Sequence, residues 1–453
     1  MYTNKKIGIL GLGREGIASA KFFQNKNEII LFEDKKRQDL PVEVLTKIDR
    51  LKSEIYFGGN FPNNLKLDYL IRSPGVRPDH SFLLDKAKKG TKTTSITNIF
   101  FEACPCPVIG VTGTKGKGTT STLICEFLKN QGVTVYLAGN IGLPAIEILP
   151  KLDKESIVVL ELSSFQLMDL NKSPHIAVIL MVTSEHLDWH MSDDEYLLAK
   201  QSIVSYQTAD DFKIINADFP NSLKIAGKGK GKPVYFSSHK KTEGVFLEEG
   251  KIISKISGVA ENIIKTEKIL LPGSHNLQNV MAATAVAKIY NVENINIEKV
   301  LTSFKGLKYR LQLVGEKNKI RFFNDSFSTT PETTIAAIES FPSPKILILG
   351  GSSKNSDFSS LGEKIAKDKS IKALILIGQE GERLERAIKK AGKFEGRLAK
   401  GLKTMSEIVG KAWKLAKTGD VVILSPACAS FGLFKNYEDR GEQFTREVAK
   451  IIK

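Results

Sequence analysis

Short apolar runs rich in Val and Ile alternate with amphipathic stretches along almost all of the 453 residues. That alternation predicts α/β architecture with largely parallel sheets. The first block opens with a strand (KIGIL), a glycine turn (GLGREG), a helix through IASAKFFQNKN and a second strand (EIILFE), and runs to about Thr97. A second block starts near Pro107 with VIGV, a Gly/Lys-rich loop and a helix through TTSTLICEFLKNQG. Strands VTVYLAG, IVVLELS, HIAVILMVTS and FKIINAD follow, and PGSHNLQNVMAATAVAKIY returns to a helix. Between them, Lys224 to Leu270 has the turn chemistry and short alternation of a small antiparallel insertion. A third block begins near Tyr309 with KIRFFND, then helix PETTIAAIESF, strands KILILGG and IKALILIG, helix MSEIVGKAWKLAK, strand DVVILSP and a closing helix. Three consecutive domains are expected, at 1–98, 99–308 and 309–453.

Composition agrees with a globular chain, 42% hydrophobic and 26% charged, with no apolar run long enough to cross a bilayer. The N-terminus lacks a charged and apolar leader pattern, so a cytoplasmic location is expected. Four cysteines (Cys104, Cys106, Cys125, Cys428) are too few for a disulfide framework, and Cys104 and Cys106 lack a second pair at zinc spacing. The net charge of +16 invites nucleic acid as a partner. The lysines are spread along the chain, however, and the densest run, Lys224 to Lys241, alternates Lys with Gly as a solvated hairpin or loop does. Nucleic-acid binding is therefore not expected, and neither is membrane insertion.

Two glycine loops carry the first chemistry. Gly11, Gly13 and Gly16 follow a strand and open a helix, and Glu33 closes the next strand 17 residues after Gly16. This is the context of a dinucleotide fingerprint, or of a tight turn holding any diphosphate or none. The second loop, TGTKGKGTT, also stands between strand and helix. Its glycines (Gly113, Gly116, Gly118) let backbone N–H groups converge on phosphate, and Lys117 would hold the terminal phosphates. A phosphate-loop lysine is normally followed by Ser or Thr, but here the first hydroxyl arrives at Thr119. Glu161, at a strand end, and His186, past another, complete an O/N set suited to Mg²⁺. In the third block Asn324, Asp325, Ser326, Thr329 and Thr330 follow a strand, Lys354 lies in a glycine-led loop, and Ser425 and Ser430 follow the last strand. Thr330 before Pro331 also makes a helix N-cap. Polar groups at strand ends in all three blocks point to a site between domains.

These residues resemble the Mur ligases, ATP-dependent amide-forming enzymes of peptidoglycan synthesis, through GLGREG, SPGV, GTKGKGTT, GNIGLP, LELSSFQL, EHLD, LPGSHNLQN, NDS, GGSSK and SPACASFGLFKNYEDRG. The resemblance implies a Rossmann-like first domain, a P-loop ATPase centre and a Rossmann-like third domain. It further implies ligation of glutamate, in the D form, to UDP-N-acetylmuramoyl-L-alanine by a monomer. Arg14, Glu15, Glu33 and Ser73 would hold the UDP-sugar, and Asn140 and Gln166 its sugar and alanine portion. ATP would meet Gly113, Thr114, Lys115, Gly116, Lys117, Gly118, Thr119, Asn279, Arg310 and Asp325. Mg²⁺ would meet Thr119, Glu161, His186 and Lys200, the last as a carbamate. An ordinary helix-surface lysine is the alternative for Lys200. Glutamate would meet Thr329, Lys354, Ser430, Phe431 and Tyr437. In the implied reaction the alanyl carboxylate takes the γ-phosphoryl group, and the glutamate amine attacks the acyl phosphate. Domain closure would complete the site, with His186 a candidate proton acceptor.

Three positions depart from the family pattern. Gly118 replaces the usual Ser/Thr, Phe327 stands where many members have Lys, and Met181 where Asn is frequent. Rival readings are a folylpolyglutamate synthase, an L-glutamate-adding ligase of the same family, and an NAD-dependent oxidoreductase resting on the first glycine loop alone.

Overall fold

The computed structural model describes residues 2–51, 53–183, 185, 189–256, 258–353 and 356–453. Chain contacts divide these into one unit of residues 1–265 and 278–300 and a second of residues 266–277 and 301–453.

The first unit holds two sheets. The N-terminal sheet comprises β1 (Lys6–Leu10), β2 (Glu28–Glu33), β3 (Glu54–Phe57), β4 (Tyr69–Arg72) and β5 (Lys92–Ser95). All pair in parallel in the order β3-β2-β1-β4-β5. β1 and β2 are apolar on both faces because helices cover both, and Ile7, Ile9, Leu31 and Phe32 are fully buried. The strand order reverses beside β1, which opens a crevice at the carboxyl ends of β1 and β4.

The second sheet has nine strands in the order β14-β13-β12-β11-β10-β9-β6-β8-β7. Its parallel core comprises β6 (Val108–Thr112), β7 (Val135–Gly139), β8 (Ile157–Glu161), β9 (Ile176–Ile179) and β10 (Phe212–Asn216). The edge comprises β11 (Lys232–Ser237), β12 (Gly244–Glu248), β13 (Lys251–Ser254) and β14 (Glu261–Lys265). Its antiparallel strands extend the central sheet instead of forming a separate body, and β11 and β12 still pair in parallel. The lysine-rich run is likewise no hairpin: it ends the helix Pro220–Ala226 and enters β11, where Val234 and Phe236 are buried. No helix among the described residues is long and apolar enough to cross a membrane.

The second unit is built on β15 (Gln312–Lys317), β16 (Ile320–Asn324), β17 (Lys345–Gly350), β18 (Ile371–Ile377), β19 (Arg397–Ala399) and β20 (Val421–Leu424). Their order is β15-β16-β20-β17-β18-β19, with only the β15–β16 hairpin antiparallel. The helix Tyr437–Ile452 packs so closely against this hairpin that a Cβ on Gly315 would lie 1.8 Å from Cδ1 of Ile452, which would have to move.

Candidate active site

The first glycine loop leaves β1 in a conformation only glycine adopts without strain, with φ +92° at Gly11. The helix Arg14–Phe23 lies so close that a Cβ on Gly16 would stand 2.0 Å from the Gly11 carbonyl oxygen. Ser73, at the end of β4, donates its hydroxyl to that oxygen at 2.6 Å. Glu33 accepts from the N–H of Leu12 at 2.8 Å and of Lys35 at 3.2 Å, so its carboxylate holds the turn in place.

Above the turn is a cleft of about 640 Å³ whose lining includes Arg14, Glu15, Glu33, Ser73, Asn140 and Gln166. All six residues expected to bind the UDP-substrate thus face one cavity. Arg14 donates to the Gly139 carbonyl and, at 3.2 Å, to that of Gly142. Gln166 closes a capping box at Ser163 through its oxygen and donates its amide to Glu15 at 2.7 Å. Arg72, buried at the foot of the cleft, pairs with Asp169 and donates to the carbonyls of Val76 and Phe165 at 2.8 and 3.1 Å.

Burial pushes the Glu15 carboxyl up to about 7, against the opposing pull of Arg14 and the Gln166 hydrogen bond. A raised acid is protonated below that value, and loses its proton as pH rises through it. An anionic substrate in this cleft therefore meets one negative charge fewer at pH 6 than at pH 8. At about 1 kcal/mol for one screened charge pair, the KM for such a substrate is roughly fivefold lower at pH 6 than at pH 8. Glu15→Gln flattens the profile, which steady-state kinetics at fixed ionic strength reads directly.

The second loop joins β6 to the helix Lys117–Asn130, whose N-cap, Gly116, has φ +88°. A Cβ there would lie 2.2 Å from Asn279 Oδ1, which also accepts from the Thr120 hydroxyl at 3.3 Å. Lys117 folds its ammonium back onto the carbonyls of Gly113 (2.9 Å) and Thr114 (3.0 Å). Lys115 turns outward to Glu185. Gly118 and Thr119 occupy the first turn, partly exposed.

Lys200, on the helix Asp193–Ser205, is 1% exposed, so the surface-lysine alternative is excluded. Its ammonium reaches Gly113 O at 3.2 Å and Thr112 Oγ1 at 3.3 Å, and lies 4.6 Å from the Tyr196 ring centroid. Burial, with the nearby Lys117 charge, holds its pKa well below the usual lysine value. Glu161 pairs in register with Val111 on β6 and Gly139 on β7, so it stands buried at the carboxyl ends of these strands, beside the loop that leaves β6. Asn140 donates to it at 3.2 Å, linking the cleft to the edge of the phosphate loop. His186 lies outside the described residues, among which no three His, Cys, Asp or Glu side chains gather as a metal site.

In the second unit Asp325 is buried at the end of β16. It accepts from Leu311 N–H at 3.1 Å and from the Ser425 hydroxyl at 2.7 Å, and burial raises its carboxyl to about 6. Arg310 stacks on Phe327, which meets the Tyr437 ring edge-on. Ser430 is buried, Phe431 is exposed, and Thr329 is partly buried before the helix Pro331–Glu339. Lys354 lies outside the described residues.

The Mur ligase middle domain matches residues 111–287, and the Mur ligase glutamate ligase domain matches 309–428. The UDP-N-acetylmuramoylalanine–D-glutamate ligase of Acetivibrio thermocellus is 38% identical over 99% of this chain and 97% of its own. The chain belongs to the Mur ligase family. The enzyme of the same name from Ruminiclostridium cellulolyticum is 36% identical, again over 99% and 97%. Among solved folds, a MurF ligase from Thermotoga maritima in complex with ADP aligns at a TM-score of 0.58 and 17% identity, over 99% of both chains.

Measured against the Mur ligase pattern, motif reading missed the supports of the site. Tyr196 stands four residues before Lys200 on the same helix face, and its hydroxyl meets Thr114 Oγ1 at 3.0 Å. Arg77, just past SPGV, lines the cleft and pairs with Glu195 at 2.9 Å. The i, i+4 spacing was a usable signal for Tyr196, and the motif's continuation for Arg77.

Proposed function

We propose that this chain joins D-glutamate to UDP-N-acetylmuramoyl-L-alanine at the expense of ATP; its relatives from Acetivibrio thermocellus and Ruminiclostridium cellulolyticum are UDP-N-acetylmuramoylalanine–D-glutamate ligases. The observation that carries the reading is the Asn140–Glu161 hydrogen bond, which joins the lining of the 640 Å³ cleft to the strand end beside the Gly113–Thr119 loop. Arg14, Glu15, Glu33, Ser73, Asn140 and Gln166 hold the UDP-substrate. The loop Gly113–Thr119 takes the phosphates of ATP on its N–H groups and on Lys117, with Asn279, Arg310 and Asp325 in the same set. Thr329, Lys354, Ser430, Phe431 and Tyr437 take the glutamate.

Thr119, Glu161, His186 and carbamylated Lys200 would hold Mg²⁺. The fit rests on the buried Glu161 carboxylate and on a Lys200 amine that burial keeps short of protons. A neutral amine adds CO₂, forming an N–C bond and losing one proton, and so turns a repelling cation into an oxygen donor. When bound, Mg²⁺ supplies charge neutralisation at the phosphates. The alanyl carboxylate displaces ADP from the γ-phosphorus, giving an acyl phosphate. The glutamate amine then attacks the acyl carbon, phosphate leaves, and the amide forms with loss of a proton. Lys117 and the loop amides do their work by placing charge where the phosphoryl group moves.

The test is phosphate release with UDP-N-acetylmuramoyl-L-alanine and each glutamate enantiomer, with product masses. Release with D-glutamate and a product heavier by one glutamyl residue is expected. Turnover with L-glutamate alone, or with a folate in place of the UDP-sugar, contradicts the reading.

A further inference from the structure

Arg310 is exposed, and among the described residues its guanidinium makes no side-chain hydrogen bond or ion pair, although its charge is felt by the Asp325 carboxylate. What meets it is a ring: its Cζ lies 4.0 Å from the Phe327 centroid, well inside cation–π range. The backbone around it is fixed unusually firmly. Tyr309 and Leu311 flank it with φ +64° and +42°, the left-handed region that non-glycine residues rarely enter. Both flanks are tied to the segment 325–327: Phe327 N–H donates to Tyr309 O at 3.0 Å, and Leu311 N–H to Asp325 at 3.1 Å. Tyr437 closes the far side, its ring edge-on to Phe327 at 5.1 Å. Tyr309 is wedged so tightly against the last helix that a Cβ on Gly441 would stand 2.3 Å from its ring.

We propose that Phe327 is a positioning residue for Arg310: its ring face holds the guanidinium side-on and leaves the N–H donors turned outward to an anion. The inference rests on the ligase reading and on Arg310 belonging to the ATP set. It gives a physical role to a departure from the family pattern. A lysine at 327 would bring a second cation against Arg310 and repel it, whereas a ring attracts it. Because Phe327 is 41% exposed, truncating it removes a contact without opening a core cavity.

The experiment measures KM for ATP and for glutamate separately, together with Tm, in full-length Phe327→Leu, Phe327→Lys, Phe327→Tyr and Arg310→Ala. Phe327→Leu raises the KM for ATP about three- to tenfold, the worth of one cation–π contact, and leaves the KM for glutamate and Tm in place. Phe327→Lys raises it at least as far, and Phe327→Tyr, which keeps the ring, restores it. If Arg310→Ala raises the KM for ATP but Phe327→Leu does not, or if the Phe327→Leu shift falls on glutamate, the inference is overturned while the ligase reading stands. If Arg310→Ala leaves the KM for ATP unchanged, Arg310 does not belong with ATP and the inference falls with that assignment.

Discussion

Lys117→Ala abolishes useful ligation, lowering kcat/KM by about 100- to 1,000-fold, and leaves the protein folded. That loss is the usual cost of deleting one preorganised charge donor at a moving phosphoryl group. Lys117 opens the helix Lys117–Asn130, where alanine is a good helix former, so the substitution does not disturb the fold. Its ammonium rests on the carbonyls of Gly113 and Thr114, inside the loop proposed to take the phosphates, so a small rotation of the side chain would meet them. Circular dichroism and Tm verify the fold, and phosphate release gives the rate. Near-normal turnover in a folded variant would remove the loop from the mechanism.

Lys200→Ala is the second large effect, a loss of about 100-fold or more that short-chain carboxylates such as formate or acetate partly reverse. The side chain is buried against Gly113 and Thr112, and removing it leaves a pocket a small carboxylate can fill in place of the carbamate. A purely structural lysine, once lost, is not replaced by an anion. Rescue therefore separates the two roles. Full activity of the variant without additive, or no response to carboxylate, contradicts carbamylation.

Strand–helix alternation was legible because buried parallel strands such as Ile7–Leu10 and Ile346–Gly350 read as unbroken apolar runs. β15, Gln312–Lys317, was not: none of its residues is buried, and with no apolar run it leaves nothing for periodicity to find. The edge strands β11 to β14 were seen as turn-rich, but their docking onto the central sheet rests on the parallel pairing of β10 with β11 and of β11 with β12, which local alternation does not specify. Loop residues with special backbone needs, Gly11, Gly16 and Gly116, announced themselves, because a glycine turn between strand and helix has few other uses. Supports did not. Tyr196, Arg77 and Glu195 act by holding other residues, and an aromatic ring or an ion pair on a helix carries no sign of what lies beneath it. Lys200 was visible only through the family resemblance, since a charged residue on a helix is ordinarily exposed. Phe327 stood out as a departure, and its contact with Arg310 became visible only in three dimensions.

The central claim is that the nucleotide sits on the loop Gly113–Thr119. A crystal structure with ADP and Mg²⁺ tests it most directly. The account predicts the β-phosphate within hydrogen-bonding distance of the loop N–H groups and of Lys117 Nζ, with Glu161 facing the metal. A nucleotide bound at the Gly11–Gly16 turn instead, or phosphates remote from Lys117 and Glu161, would contradict it.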